Sequence, residues 1–262
     1  MATGSLTASN ISLKFPKYIT TSIVIGDSQC EYLHNHFDPC QKGPPAFICK
    51  PGAKIEDVHS LLKFVMETTT SIVLHVGTND LCQIPAGEAF KRYRALLDTI
   101  GHNCPNIKQV YATLILPRST NRHLARSNDP FVERCNREAC FFNNLLRRHC
   151  RKTKGLFFVN HGFEWLPSCQ VLAANGLHPN FDGVVLIASH LHQMLSWLYT
   201  RRDTTWKDHS NGPHIRSIST DVSDHPNSDG GSRARIRSNS KGSTRTTLQL
   251  MKDLFSHRAE PH

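Results

Sequence analysis

Three apolar, β-branched runs in the first 80 residues each stop at a small or amide-bearing residue, and this punctuation limits the fold more than any other feature. Ile19-Thr-Thr-Ser-Ile-Val-Ile25 stops at Gly26-Asp27-Ser28, a segment with Phe47-Ile48 stops at Pro51-Gly52, and Ser71-Ile-Val-Leu-His-Val76 stops at Gly77-Thr78-Asn79-Asp80. Helix-period stretches lie between and after them. Lys54 to Glu67 carries Ile55, Val58, Leu61, Leu62 and Val65, and further helices are expected over Glu88–Ile100, Phe131–Cys150 and Gly183–Tyr199. Val110–Leu116 and Leu156–Val159 read as two more strands. Strands alternating with helices build βαβ units around a parallel sheet. Apolar strands without polar alternation suit a sheet covered on both faces. The expectation is an α/β domain over residues 18–200, three layers deep, with a mainly parallel sheet of about five strands. The Phe and Leu stripe at Phe141, Phe142, Leu145 and Leu146 is then core at helical spacing.

Beyond Tyr199 the pattern ends. Runs such as Ser228-Asp-Gly-Gly-Ser232 and Arg233-Ala-Arg-Ile-Arg-Ser238 have too few large apolar residues to offset the entropy of ordering, so residues 201–262 are expected to be a basic, Ser-rich, largely disordered tail. Thr247–Phe255 could form one amphipathic helix within it. The formal charge of +10 divides into +4 on this tail (11 Lys+Arg against 7 Asp+Glu) and +6 on residues 1–200. Weak nucleic-acid contact through the tail is therefore one partner expectation. Arg147, Arg148, Arg151, Lys152 and Lys154 read more simply as a solvated helix end suited to the helix dipole. No run is long and apolar enough to span a membrane. The first residues lack the pattern of a secretory signal, and the nine cysteines are odd in number. Reduced thiols in a cytoplasmic or nuclear compartment are expected.

Chemistry concentrates where the strands end, which is where open α/β sheets place their sites. The first strand delivers a hydroxyl, Ser28. The second delivers Gly52, whose bare backbone N–H a substrate can approach. The third delivers Asn79, an amide donor. Asn175-Gly-Leu-His178 precedes the last helix, on what would be the same rim. Acyl transfer needs a nucleophilic hydroxyl, an imidazole to take its proton, and N–H donors aimed at the developing oxyanion. Ser28 would attack, His178 would act as general base and then acid, and the Ser28 and Gly52 N–H groups with the Asn79 side chain would form the oxyanion hole.

Val24-Ile-Gly-Asp-Ser28, Gly52, Gly77-Thr-Asn-Asp80 and Asn175-Gly-Leu-His-Pro179 resemble, in order and spacing, four sequence blocks of the SGNH (GDSL) hydrolase superfamily. The resemblance covers about residues 18–200. It implies a flavodoxin-like fold, a cofactor-free serine esterase of the carboxylesterase or acetylesterase type, a small ester substrate, and the roles just given to Ser28, Gly52, Asn79 and His178. The stretch His161-Gly-Phe-Glu-Trp-Leu-Pro167 is also similar to SGNH-like domains in the first reading frames of some animal retrotransposons. One position departs from the family: the Asp usually found three residues before the His is Asn175. An Asp sets the imidazole tautomer and stabilises the imidazolium, and in a Ser-His-Asp protease the Asp-to-Asn change costs about 10⁴ in turnover.

Two rival readings follow. One is a catalytically degenerate SGNH-like binding domain of a mobile-element-derived protein. The other is a zinc module on Cys30, His34, His36 and Cys40, whose spacing matches no common structural zinc class, so no metal is expected. Asp80 is expected to order its own loop, and Asp182 to cap the last helix. The sequence sets no oligomeric state.

Overall fold

The computed structural model describes residues 7–8, 11–38, 43–124 and 128–200. Residues 201–262, and with them the expectations of a disordered tail, its nucleic-acid contact and a helix over Thr247–Phe255, lie outside the described residues. Apart from Thr200, the last residue of the final helix, the residues described below belong to one compact unit, Met1–Tyr199.

Five strands run parallel at its centre: β3 (Ser22–Gly26), β4 (Ala46–Cys49), β5 (Ser71–His75), β6 (Gln109–Thr113) and β7 (Leu156–Val159). Every residue of β3, β4 and β5 is buried, which accounts for their unbroken apolar character. The sheet order is β1-β2-β4-β3-β5-β6-β7. Taken alone, the parallel strands follow the flavodoxin-like order 2-1-3-4-5, with the strand order reversing at β3. The expected doubly wound α/β architecture is therefore present.

The sheet has seven strands rather than about five. The additional pair, β1 (Thr7–Ala8) and β2 (Ile11–Lys14), is antiparallel and joins the sheet through β4. Ile11-Ser-Leu-Lys14 is short and mixed in polarity, so nothing in it stands out as a strand before its partner is known.

Helices α1 (Ile55–Leu61), α2 (Ala86–Asn103), α3 (Asp129–Lys152), α4 (Ser168–Val171) and α5 (Phe181–Thr200) complete the unit. Helix α1 is half the expected length: Leu62–Phe64 form a 3₁₀ turn and Val65 is already extended. A 3₁₀ turn also aligns residues three apart, so the apolar spacing outlasted the α-helix. Strand β6 likewise stops at Thr113 although Leu114, Ile115 and Leu116 remain buried. There the Asn143 side chain of α3 replaces the ladder, its Oδ1 accepting from Ile115 N and its Nδ2 donating to Ile115 O. Of the expected α3 stripe, Phe142 and Leu146 are fully buried, Phe142 edge-on to Phe90 and Tyr93, whereas Leu145 is half-buried and Phe141 is exposed on the helix's outer face. Asn180 caps α5, its Oδ1 accepting from Gly183 N at 2.9 Å. The cap is thus not Asp182, which lies inside the first turn; a residue three before the bonded N–H fits the N-cap geometry.

Candidate active site

Ser28 opens a 3₁₀ turn directly after β3, at the strand where the sheet order reverses. Asp27 caps that turn, its Oδ1 accepting from Gln29 N at 2.9 Å. Across 150 residues of sequence, Ser28 Oγ lies 2.9 Å from His178 Nε2.

The His178 loop is held from two sides. Gln29 Nε2 donates to Leu177 O at 2.8 Å, while Ser119 N donates to Gly176 O and Arg122 N to Ala174 O, each at 2.8 Å. Gly176 has φ 69°, and a Cβ there would sit 2.0 Å from Ser119 O. Both the left-handed backbone and the close approach demand glycine. Gly176→Ala is expected to cost more than the roughly 1–3 kcal/mol of left-handed strain, because Ser119 must also move. Thermal melting would register the loss.

Behind Gln29 stands a buried relay. His75 is fully buried, and desolvation lowers its pKa to about 4, so the ring is neutral. Its Nε2–H donates to Gln29 Oε1 at 3.1 Å, and its Nδ1 accepts from Thr113 Oγ1 at 2.9 Å. This orients the Gln29 amide so that its N–H₂ faces the His178 loop.

Asp27 is buried, and desolvation pushes its pKa up to about 7 against weaker opposition from the Gln29 N–H and Arg118. The folded carboxyl therefore holds its proton above the ordinary range near 4. Its contribution to stability is complete below that range and is lost as pH rises through 7. Asp27→Asn can keep the acceptor for Gln29 N without the ionisation. The expected result is a rise in Tm relative to wild type that is larger at pH 8 than at pH 5, measured by thermal melts across that interval.

Of the remaining predicted residues, Asn79 is tied to this strand end. Asn79 Nδ2 donates to Ala53 O at 2.9 Å and more weakly to Asp27 Oδ2 at 3.4 Å, tying the third block to the second and first. Gly52 has φ 72°, and the space where a Cβ would stand is open. Asp80 is buried, and its Oδ2 accepts from Ile55 N at the start of α1. It thereby ties its loop to the start of α1, rather than serving that loop alone as expected. Arg118, which carried no sequence signal, donates from Nη2 to Thr78 O at 3.0 Å. Gln29 was missed for the same reason: a lone amide after a serine has no period or spacing to mark it.

Asn175 decides the state of the imidazole. Its Oδ1 accepts from Leu177 N at 3.0 Å and His178 N at 3.1 Å. Its Nδ2 stands 2.8 Å from His178 Nδ1. Reversing the amide would aim its N–H₂ at two backbone N–H groups, so the hydrogen-bond network fixes this orientation. An amide nitrogen only donates, so Nδ1 must accept. The neutral ring then carries its hydrogen on Nε2 and donates it to Ser28 Oγ. A general base needs the opposite tautomer, with the Nε2 lone pair facing the hydroxyl. Asn175 already occupies Nδ1, so Asp182 does not replace the family's carboxylate at that nitrogen. Desolvation lowers the His178 pKa, Arg118 adding to the effect and Glu31 opposing it.

Of the cysteine–histidine cluster, Cys30, His34 and His36 lie within the described residues. His34 Nδ1 pairs with Glu31 O and the His36 carbonyl accepts from His192, while Cys40 lies outside the described residues. Among the described residues no group of three or more His, Cys, Asp or Glu side chains could hold a metal ion. Within the same residues, no helix is long and apolar enough to cross a membrane.

No protein-family model matches the sequence, and a search of curated proteins finds no match. Solved structures do match. A GDSL-like lipase from Bacteroides thetaiotaomicron is 13% identical over 68% of this chain and 88% of its own, with a TM-score of 0.52. A carbohydrate esterase family 3 protein from Talaromyces cellulolyticus is 14% identical over 72% of this chain and 100% of its own, also at 0.52. The esterase domain of the ORF1 protein from the zebrafish ZfL2-1 retrotransposon is 23% identical over 68% of this chain and 99% of its own; its TM-score of 0.34 is too low to support an argument. With Ser28 following β3 in a flavodoxin-like strand order, the two likenesses at a TM-score of 0.52 show that the chain has the fold of the SGNH (GDSL)-type hydrolases.

Proposed function

We propose that the protein is a serine esterase whose turnover is restrained by Asn175. The carrying observation is the 2.9 Å contact between Ser28 Oγ and His178 Nε2, made by two residues 150 positions apart at the end of β3. In this reading Ser28 attacks the carbonyl carbon of a small ester and His178 removes its proton. The Ser28 and Gly52 N–H groups and Asn79 Nδ2 stabilise the oxyanion, Asn79 turning from Ala53 O to do so. His178 then protonates the departing alcohol, and water releases the acyl group by the same steps in reverse order.

Desolvation lowers the His178 pKa from the ordinary imidazole value, which favours the neutral ring. The tautomer, not the charge, is therefore the obstacle. Attack requires the ring to shed its Nε2 hydrogen and carry one on Nδ1, opposite the Asn175 N–H₂. That donor-against-donor arrangement is also what favours a second reading, a domain that retains the fold and binds esters without turning them over. Hydrolysis of p-nitrophenyl acetate separates the two. The enzyme reading expects slow release above background that disappears in Ser28→Ala. Equal rates for wild type and Ser28→Ala would leave the binding reading.

A further inference from the structure

Loop Gly77–Ile84, which carries Asn79, lies against the N-terminal half of α3. Arg134 Nη2 donates to Cys82 O at 3.3 Å, and Cys82 Sγ stands 3.9 Å from Cys135 Sγ. The Cys82 thiol otherwise donates to Thr78 O at 3.2 Å, beside the carbonyl that Arg118 holds. This approach of two thiols joins the loop to a helix 53 residues further along the chain. A disulfide has an S–S separation near 2.05 Å, so the two sulfurs must close by about 2 Å for the bond to form.

We propose that Cys82 and Cys135 form a reversible disulfide that clamps the Asn79 loop to α3. The oxidant is a small disulfide such as oxidised glutathione. Cys82 is only partly buried, whereas Cys135 is buried, so Cys82 reacts first. Its thiolate attacks one glutathione sulfur and expels the first glutathione thiolate, leaving a mixed disulfide on Cys82. Cys135, once deprotonated, attacks the Cys82 sulfur and expels the second. One glutathione disulfide is reduced to two glutathiones and the protein loses two hydrogens. Burial pushes the Cys82 thiol up to about 11 despite Arg118 and Arg134 nearby, so the first step is slow at neutral pH and accelerates as pH rises. Cys140 and Cys169 are exposed and have no thiol beside them among the described residues, so they stop at the mixed disulfide.

The clamp does not depend on the hydrolase reading, and its test does not use activity. The full chain is incubated with oxidised glutathione at pH 8.5, quenched by alkylation and digested with trypsin without reduction. The expected product joins Phe64–Lys91, which contains Cys82, to the tripeptide Cys135–Arg137. It should be absent from Cys82→Ser and from Cys135→Ser, two independent controls if either variant folds poorly. Closing a loop of this length should raise the Tm of the oxidised protein by roughly 5–10 °C, reversed by dithiothreitol. Glutathione on Cys140 and Cys169 with no Cys82–Cys135 peptide would overturn the proposal, as would a cross-linked protein that melts no higher than the reduced one.

Discussion

Asn175→Asp is expected to raise kcat/KM for a short-chain ester by about 10²–10⁴, because the substitution reverses the change that costs about 10⁴ in a Ser-His-Asp triad. The geometry gives the reason. A carboxylate at residue 175 keeps one oxygen on the Leu177 and His178 N–H groups, as the amide oxygen does now. Its second oxygen replaces the Nδ2 that stands 2.8 Å from His178 Nδ1, and so accepts a hydrogen from that nitrogen instead of donating one to it. The Nε2 lone pair then faces Ser28. The same carboxylate opposes the charge that His178 acquires when it takes the serine proton. Two readouts separate this effect from a general improvement in folding. The acid limb of the pH–rate profile should move upward in Asn175→Asp, since a neighbouring anion raises an imidazole pKa. Asn175→Ala should gain far less, because it removes the blocking donor without supplying a charge. Equal activity across the three proteins would refute the role given to residue 175.

The second large effect belongs to the pair itself. In the Asn175→Asp background, Ser28→Ala and His178→Ala should each lower turnover by at least about 10³, and the double variant should fall little further, because residues that act as one unit are not additive. Steady-state kinetics on the four proteins checks this. Additive losses would mean that Ser28 and His178 act separately, against the shared hydrogen bond on which the mechanism depends.

Much of the geometry of the candidate site is legible in the sequence. Ser28, Gly52 and Asn79 each follow a buried parallel strand, and unbroken β-branched runs cut off by glycine or asparagine are a local signal that survives in the sequence. His178 could be placed on the same rim because its block precedes a long apolar helix. The direction of the Asn175 amide could not be read: it depends on Leu177 N and His178 N both pointing at one oxygen, which is loop geometry with no periodic trace. Gln29, His75 and Thr113 were invisible for a related reason. Their relay runs between β3, β5 and β6, and neighbouring strands impose no rule on which polar side chains meet. The β1–β2 hairpin was missed because two- and four-residue strands carry less pattern than a loop of the same composition. Helix α1 was overextended because a 3₁₀ turn keeps the i, i+3 spacing of the helix it follows.

The most direct test of the central claim is covalent labelling of Ser28 by a fluorophosphonate, read by intact mass and peptide mapping on wild type, Asn175→Asp, Ser28→Ala and His178→Ala. The phosphonyl centre reports the nucleophile without the need for a substrate. The account predicts one adduct, on Ser28, that forms slowly in wild type and at least tenfold faster in Asn175→Asp, is absent from Ser28→Ala, and is strongly reduced in His178→Ala. A folded Asn175→Asp protein that takes no label at Ser28, or one that labels equally well without His178, would contradict it.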